Sequence, residues 1–543
     1  MVSSKASIKI EFRSGIRGMA FLLMALVMGF GIAASATTYY IDNSAAGCGG
    51  SGCSDKNNGT SKTTAWVHAP GMPSCTSGGC YTIDNNSGNA GHAKPGDQFI
   101  LRGGDVWHES NNDLPWTWRS AGSSGNTIYV GVDETWYVGS SWTRPVLNED
   151  GTDISTLGQG ALFKFGGGGQ APYNVVDNIE FINFYSCAST GMYGPFEFND
   201  TLHNTLSNAY FHGWTHCPYT GTQTDGCVLV GGTSATVEYT VFDATDSTGG
   251  GDSCYAVGFS GSDNGSEIAY NYITHMPNGF VGSFPNVHDN VIAYTSTDFV
   301  TLGGGSYHGN AFENNVCNSP CFIYNNVGLF VSPTYGYVSW WDSPKGNYDY
   351  IFNNVIANSG PFSTVTGDGH AANGGFVIYF NNTEECGADN GQPSYFCAGD
   401  TDPSDAHSTF ENSHFISSYA PPPLTSYGTQ SNNITQTKSV ANGQGYSYSQ
   451  SYVFSPTASN NSTVGAGLNL TSLCNSIAVL NAAAGTACQE DTTYGVTYNA
   501  TNHTVSWPAR TPIGRPTNGA WDAGAYEYGD PPNPPSGLTA VVD

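Results

Sequence analysis

The sequence is poor in basic residues and in charged residues generally. Lys and Arg number 15 against 43 Asp and Glu, only 11% of the 543 residues are charged, and the formal net charge is −28. Between Asn174 and Gln450 the only basic residues are Lys345 and Lys438. No basic groove can therefore neutralise phosphates or a polyuronate chain, which argues against nucleic acid and anionic membranes as partners. A neutral substrate, or an anionic one bridged by Ca²⁺, fits this surface.

A second long apolar run is also missing. The one such run, Met19–Ala34, follows a basic start and leads into the small residues Ala34-Ser35-Ala36, which is the pattern of a secretory signal and its cleavage site. The run is too short to span a bilayer comfortably. The sequence therefore predicts a signal peptide over residues 1–36 and a secreted, extracellular protein that does not insert into membranes.

The cysteines lack metal-binding spacing. None of the 14 belongs to a Cys-x-x-Cys pair, and an even number of closely spaced cysteines fits structural disulfides in an oxidising compartment. The close pairs are Cys48/Cys53, Cys75/Cys80, Cys317/Cys321, Cys386/Cys397 and Cys474/Cys488. We predict disulfides between neighbouring loop cysteines and no protein-bound metal, with Ca²⁺ only as a candidate bridge to an anionic substrate.

Surface residues that favour helices are scarce. With few charges, and with 70 Gly and 27 Pro, the polar surface must come from Gly, Ser, Thr and Asn, which favour turns and strands. Hydrophobic residues make up 39% of the chain and aromatics 13%, so there is ample apolar surface to bury. We expect an almost entirely β-sheet protein.

A loose repeat occupies the middle of the chain. Strand-like segments with Asn in an equivalent place are Tyr270-Asn271-Tyr272-Ile273, Asp289-Asn290-Val291-Ile292, Asn314-Asn315-Val316-Cys317, Asn353-Asn354-Val355-Ile356 and Asn381-Asn382-Thr383. The Asn residues are 19, 25, 39 and 28 residues apart, which fits stacked coils of three short strands with loops inserted at the turns. Each Asn could then adopt a left-handed turn conformation and bond the Asn of the next coil, unless Asn is simply frequent in these turns.

Four further segments carry a resemblance to a known family. They are Tyr39-Tyr40-Ile41-Asp42, Asn57-Asn58-Gly59-Thr60-Ser61, Lys94-Pro95-Gly96-Asp97-Gln98-Phe99-Ile100-Leu101 and Trp521-Asp522-Ala523-Gly524-Ala525-Tyr526-Glu527-Tyr528. With them the chain resembles secreted right-handed parallel β-helix proteins of the pectin-lyase-like superfamily over residues 37–529. The resemblance implies an all-β solenoid, and it leaves the reaction open because one fold hosts many functions.

The predicted organisation follows this fold. Residues 37–170 form the capped N-terminal start, residues 174–419 the regular coils, and residues 421–529 loop-rich C-terminal coils. The Pro-rich tail of residues 530–543 is stiff and extended. It is either a frayed end or the stub of a lost or neighbouring C-terminal module.

An acidic column provides the catalytic hypothesis. Asp225, Asp252 and Asp298 each precede an apolar strand, and one inter-strand step would separate successive coils by about 4.8 Å. Asp225 and Asp252 would then lie about 5 Å apart, and Asp252 and Asp298 about 10 Å apart, near the carboxylate separations of glycosidases. Two close carboxylates also raise one pKa and so supply the protonated acid, for which Asp252 is the favoured candidate. The alternative is that these Asp residues cap turns.

Part of this column is similar to polygalacturonase-like glycoside hydrolases. Thr224-Asp225-Gly226 and Gly251-Asp252-Ser253-Cys254 match in part their Asn-Thr-Asp and Gly-Asp-Asp segments. Gln223 and Ser253 depart from that pattern, and the Gly-His-Gly and Arg-Ile-Lys motifs are missing. The missing basic pair argues against galacturonan as the substrate.

Aromatic and histidine side chains are the predicted substrate-binding residues. Flat rings stack on sugar faces, and the candidates in one short segment are Tyr335, Tyr337, Trp340 and Trp341. His275 and His288 lie near the acidic column in sequence. The alternatives are core packing for the rings and ordinary turn hydrogen bonds for the histidines.

Three functions are carried forward. The favoured one is a glycoside hydrolase that cleaves an extracellular polysaccharide with Asp225, Asp252 and Asp298. The first alternative is a Ca²⁺-assisted polysaccharide lyase, which needs a base to remove the proton α to a uronate carboxyl group. The second is a surface or adhesive β-helix that binds glycans without cleaving them.

Overall fold

The computed structural model contains three long parallel sheets. The residues that it describes are 36–44, 52–83, 92–157, 160–166, 171–186, 192–199, 202–216, 224–231, 234–247, 254–259, 265–276, 278–282, 285–295, 311–313, 320–331, 338–339, 348–357, 376–386, 409–417 and 429–529. The predicted signal peptide lies outside them.

In the described part of the chain, sheet A has 13 strands and sheet B has 12. Sheet A consists of Thr38–Ile41, Gln98–Gly103, Ile128–Tyr137, Asn174–Asp177, Thr205–Ser207, Thr236–Glu238, Glu267–Ala269, Asn286–His288, Cys321–Tyr324, Tyr348–Phe352, Phe376–Phe380, Thr409–Glu411 and Thr429–Ser431. Sheet B consists of Val106–His108, Val146–Asn148, Glu180–Ile182, Tyr210–His212, Val241–Asp243, Tyr272–Thr274, Val291–Ala293, Val327–Leu329, Val355–Ala357, Thr383–Cys386, His414–Ser417 and Ile434–Thr437.

Sheet C has eight strands, and a few short elements complete the fold. Sheet C consists of Trp116–Trp118, Ala161–Phe165, Met192–Asn199, Thr224–Gly231, Cys254–Phe259, Asn278–Val281, Phe312–Glu313 and Val338–Ser339. Tyr185–Ser186 pairs with Thr215–His216 in parallel, and Thr497–Asn499 pairs with Thr504–Ser506 in an antiparallel hairpin. The α-helices are Gly79–Ile83, Lys438–Gly443, Thr471–Leu480 and Ala482–Cys488, and the 3₁₀ helices are Glu109–Asn111 and Ile154–Thr156.

Each complete coil visits the three sheets in turn. One coil runs from Glu267–Ala269 in sheet A through Tyr272–Thr274 in sheet B to Asn278–Val281 in sheet C, and the next begins at Asn286–His288 in sheet A. Alternate residues of these strands point inward and form one continuous apolar core. The chain is therefore an all-β right-handed parallel β-helix, and the predicted fold class is confirmed.

A ladder of buried Asn side chains lines the turn from sheet A to sheet B. The Oδ1 atom of Asn290 accepts the backbone N–H of Asn271 at 2.9 Å and its side-chain amide at 3.0 Å. The same two bonds recur in each following coil, through Asn290, Asn326, Asn354 and Asn382. All of these Asn side chains are fully buried. The predicted Asn column is therefore confirmed.

Two details of the predicted column were wrong. The third member is Asn326 rather than Asn315, which lies outside the described residues. The second error concerns the left-handed conformation, which was predicted for the ladder Asn itself. It is adopted by the residue before each ladder Asn, with φ between 53° and 60°. These preceding residues are Tyr270, Asp289, Asn325, Asn353 and Asn381. One residue turns the chain and the next satisfies the buried amides, so the turn needs a pair of residues where the prediction used one.

The coils end earlier than predicted. The last strands of sheets A and B are Thr429–Ser431 and Ile434–Thr437, so the C-terminal coils expected over residues 421–529 stop at residue 437. Residues 438–529, called the C-terminal segment below, fold back along the outside of the solenoid. Their apolar side chains form one cluster with outward residues of sheet B and another with outward residues of sheet A.

Disulfides join two of the predicted cysteine pairs. Cys75–Cys80 and Cys474–Cys488 are bonded, and the second ties the two helices that cover sheet A. Cys53 and Cys321 are also disulfide-bonded, and the partners predicted for them lie outside the described residues. None of the helices in the described part of the chain has the length and hydropathy of a membrane-crossing segment.

Replacing Asn326 by Ala should destabilise the fold. The change leaves the two Asn290 donors and the Val287 carbonyl without their buried partner, and we expect a loss of about 3 kcal/mol in the free energy of unfolding. Urea unfolding followed by circular dichroism measures it. Asn518→Ala, at an exposed residue, is the matched control, and an equal loss in both variants would contradict the role of the ladder.

Candidate functional site

Of the three predicted acids, Asp225 lies in a strand of sheet C, and its predicted alignment with Asp252 was wrong by two residues. The backbone of Asp225 pairs with Tyr193 on one side and with Cys254 on the other. Cys254 follows Asp252 by two positions in the sequence. Asp252 and Asp298 lie outside the described residues, and the catalytic roles of all three acids stay predictions.

One ion pair on the outer face of sheet C was not predicted from the sequence. Lys164 Nζ lies 2.9 Å from Glu197 Oε2 on the neighbouring strand, and each side chain is less than one-fifth exposed. Both project outward because the flanking residues Phe163, Phe165 and Phe196 belong to the core. The sequence signal for an outward Lys164 is the Phe-Lys-Phe alternation within its strand.

The pair belongs to one register column of sheet C. The positions of this column in successive strands are Thr117, Lys164, Glu197, Leu229, Gly258, Val281, Glu313 and Ser339. Lys164 and Glu197 lie near its N-terminal end. A long substrate that runs along the solenoid axis would cross these positions one after another, since each coil advances by one inter-strand step.

The predicted aromatic residues flank the last strand of this sheet in sequence. Tyr337 precedes Val338–Ser339 and Trp340 follows it. Tyr335, Tyr337, Trp340 and Trp341 all lie outside the described residues, so sugar stacking by these rings stays a prediction.

Neither of the two predicted histidines lies in a strand of sheet C. His288 ends a strand of sheet A, and its two ring nitrogens contact Asp289 at 2.8 Å and Glu267 at 2.9 Å. No ring nitrogen of His288 is left for a substrate. His275 follows a strand of sheet B, where it stacks on Tyr294 and its Nδ1 lies 2.7 Å from the Thr274 hydroxyl. Substrate binding by His275 stays a prediction.

His288 is one of three histidines that are each held between two carboxylates. The sets are His68 with Asp55 and Asp113, His212 with Glu180 and Asp246, and His288 with Glu267 and Asp289. Burial alone would lower the pKa of each ring, but hydrogen bonds and charge from both carboxylates outweigh it and raise the pKa to about 9. These charged histidines hold acidic segments together, and none is poised as a free base near pH 7.

The described residues include no group of three or more His, Cys, Asp or Glu side chains that could hold a metal ion.

Comparison with known proteins gives structural similarity only. No protein-family model matches the sequence, and no curated protein matches it. Among solved structures, the chain is similar to pectate lyase Pel9A, with 16% identity, 91% of this chain and 97% of that chain covered, and a TM-score of 0.42. It is also similar to the GH136 lacto-N-biosidase from Eubacterium ramulus, with 12% identity, coverage of 77% and 69%, and a TM-score of 0.38. A third similar structure is the PL6 family alginate lyase AlyGC, with 14% identity, 64% of this chain and 50% of that chain covered, and a TM-score of 0.36.

Replacing His288 by Gln should remove a pH-dependent part of the stability. The folded pKa of about 9 lies above the usual 6.5, so this stabilisation is fully present below pH 6.5 and is lost as the pH rises through 9. We expect the difference in unfolding free energy between wild type and His288→Gln to shrink by about 3 kcal/mol between pH 6 and pH 9.5. Denaturant titrations at both pH values measure it. The control is His92→Gln at an exposed ring. If the difference in unfolding free energy between wild type and His288→Gln does not change with pH, His288 is not stabilised as a charged ring between Asp289 and Glu267.

Proposed function

We propose that this protein is an exported enzyme that acts on a polysaccharide, with the outer face of sheet C as its catalytic face. The observation that carries the proposal is that ionisable groups lie on this face: the Lys164–Glu197 pair projects outward, and the strand that contains Asp225 runs beside Glu197. The C-terminal segment packs on sheets A and B, and this arrangement directs a long substrate to sheet C. The mature chain is acidic, which favours a neutral glycan over a polyuronate.

Glycoside hydrolysis is the first candidate reaction. It needs one protonated carboxyl group to donate to the leaving oxygen and one carboxylate to act as base or nucleophile. Asp225, Asp252 and Asp298 are assigned these roles, with Asp252 as the acid. Glu197 is an additional carboxylate on the same face, where it forms an ion pair with Lys164.

Polysaccharide lysis is the second candidate. It is favoured by the presence of Lys164 on the outer face of sheet C, since a lyase needs a base there. A lysine can act as the lyase base only as a neutral amine, because only that form can accept the proton α to a uronate carboxyl group. Lys164 Nζ is instead held in an ion pair, 2.9 Å from Glu197 Oε2. A uronate would also have to approach a strongly acidic chain with its charge offset by Ca²⁺. These two requirements place lysis behind hydrolysis.

Asp252→Asn should lower turnover at least 100-fold, because the amide cannot protonate a leaving oxygen. The mature protein is incubated with a panel of neutral and uronate polysaccharides, and reducing ends are measured beside the ultraviolet absorbance of unsaturated products. Lys164→Gln is the discriminating variant, since it should leave a hydrolase active and abolish a lyase that uses this base.

The outcomes separate the three functions. Reducing ends without absorbance, lost in Asp252→Asn, support hydrolysis. Absorbing products that disappear with a chelator and in Lys164→Gln favour lysis. Unchanged turnover in Asp252→Asn excludes this residue as the acid, and no product from any polymer would leave the non-catalytic glycan-binding protein.

A further inference from the structure

The first three coils carry an open groove on the outer face of sheet A. The strands Thr38–Ile41, Gln98–Gly103 and Ile128–Tyr137 pair in register there. The side chains that line the groove are Thr38, Tyr40, Gln98, Ile100, Tyr129, Val132 and Asp133. Its volume is about 420 Å³, which is within the range of small-ligand sites. We call it the sheet A groove.

One wall of the sheet A groove is a tyrosine ring held against the sheet. The Tyr129 hydroxyl donates to Asp177 Oδ2 at 2.8 Å and accepts the Val132 N–H at 3.3 Å. A Cβ atom at Gly131 would lie 2.5 Å from Cζ of this ring, so glycine is what allows the ring to lie along the strand. Burial and the charge of Asp177 raise the pKa of Tyr129. The ring is thus a fixed, neutral platform.

The other wall combines aromatic rings with an internal ion pair. Tyr40 packs edge-on against Trp136 with ring centroids 5.3 Å apart. Lys62 Nζ lies 5.6 Å from the Trp136 ring and 2.7 Å from Asp133 Oδ2. Hydrogen bonds from Lys62 and from Thr135 lower the pKa of Asp133 to about 2. Because Lys62 and Asp133 neutralise each other, this wall offers aromatic surface and hydrogen-bonding groups without net charge.

We propose that the sheet A groove binds a neutral polysaccharide chain, at a site separate from the catalytic face. Pyranose rings present apolar faces that pack on aromatic rings and hydroxyls that bond polar side chains, and the groove offers both in Tyr40, Tyr129 and Gln98. A polyuronate would have to displace Asp133 from Lys62 and approach a chain of net charge −28.

The same face of the solenoid is closed farther along. From Phe322 to Phe380 the outward rings of sheet A are covered by residues of the two C-terminal helices, including Ile477 and Ala484. The groove is therefore an uncovered part of a face that the protein buries elsewhere. The choice of a polysaccharide as ligand rests on the proposed function, whereas binding in the groove requires no catalysis.

Affinity electrophoresis of the full mature chain tests this binding. Gels contain hydroxyethyl cellulose, galactomannan or arabinoxylan, and polygalacturonate is the anionic comparison. We expect at least one neutral polymer to retard the wild type, with Kd raised about tenfold by Tyr40→Ala and about threefold by Gln98→Ala. Gln98 is exposed, so its replacement keeps the test valid if Tyr40→Ala fails to fold. Tyr528→Ala, 41% exposed in the C-terminal segment, is the control and should bind as the wild type does.

Each outcome decides the proposal. Retardation that Tyr40→Ala and Gln98→Ala weaken and Tyr528→Ala preserves supports it. Equal retardation of all four proteins overturns it, as does retardation by polygalacturonate alone or by none of the polymers. Groove-dependent binding without any product would defeat the proposed enzyme and leave this site standing, and product formation without groove-dependent binding would do the reverse.

Discussion

The buried amide ladder is the constraint on which the rest of the molecule depends. At the turn from sheet A to sheet B the backbone leaves its own hydrogen-bonding pattern inside the protein, where an unpaired amide is costly. Asn271, Asn290 and their successors satisfy those groups from the neighbouring coil. The ladder requires each coil to begin sheet B directly above the previous one. Loops can therefore vary in length elsewhere while outward residues stay in columns.

Those columns decide which surfaces remain available. On sheet A the rings of His288, Tyr324, Phe352 and Phe380 stack face to face with centroids 4.6 to 5.0 Å apart. Such a stripe needs a cover, and the C-terminal segment supplies it. On sheet C the outward column begins with polar and charged side chains instead. Two faces of one solenoid thus differ in role because different side chains repeat along them.

Sequence reasoning could predict the fold because its main signal is local. An Asn two residues before an apolar position can be recognised without knowing the next coil. Register is different, because loops of unequal length separate the strands and nothing local fixes which residues lie opposite each other. For this reason the predicted Asn column contains Asn315 in place of Asn326, and the predicted acidic column pairs Asp225 with Asp252 rather than with Cys254.

The three histidines that are held between two carboxylates show the same limit of sequence-based prediction. Each clamp joins residues from different coils or from opposite ends of a loop, as with His212 and Asp246, and no spacing in the sequence marks such a meeting. The Lys164–Glu197 pair is an intermediate case. The outward direction of Lys164 can be predicted from the alternation of residues in its own strand. Its partner Glu197 can be identified only when the register of the neighbouring strand is known.

Arg144 joins an early coil to the C-terminal segment, whereas the coils otherwise interact mainly with their nearest neighbours. Its buried guanidinium donates to the carbonyl oxygens of Asn502 and His503, and the first of these lies 358 residues away in sequence. Chains are synthesised from the N-terminus, and early coils of a solenoid can fold before later ones exist. During synthesis Arg144 therefore gains these two partners only after residue 503 has been made. Until then its guanidinium has to be satisfied by water at these two positions, so the early coils reach their final hydrogen bonding later than they can fold.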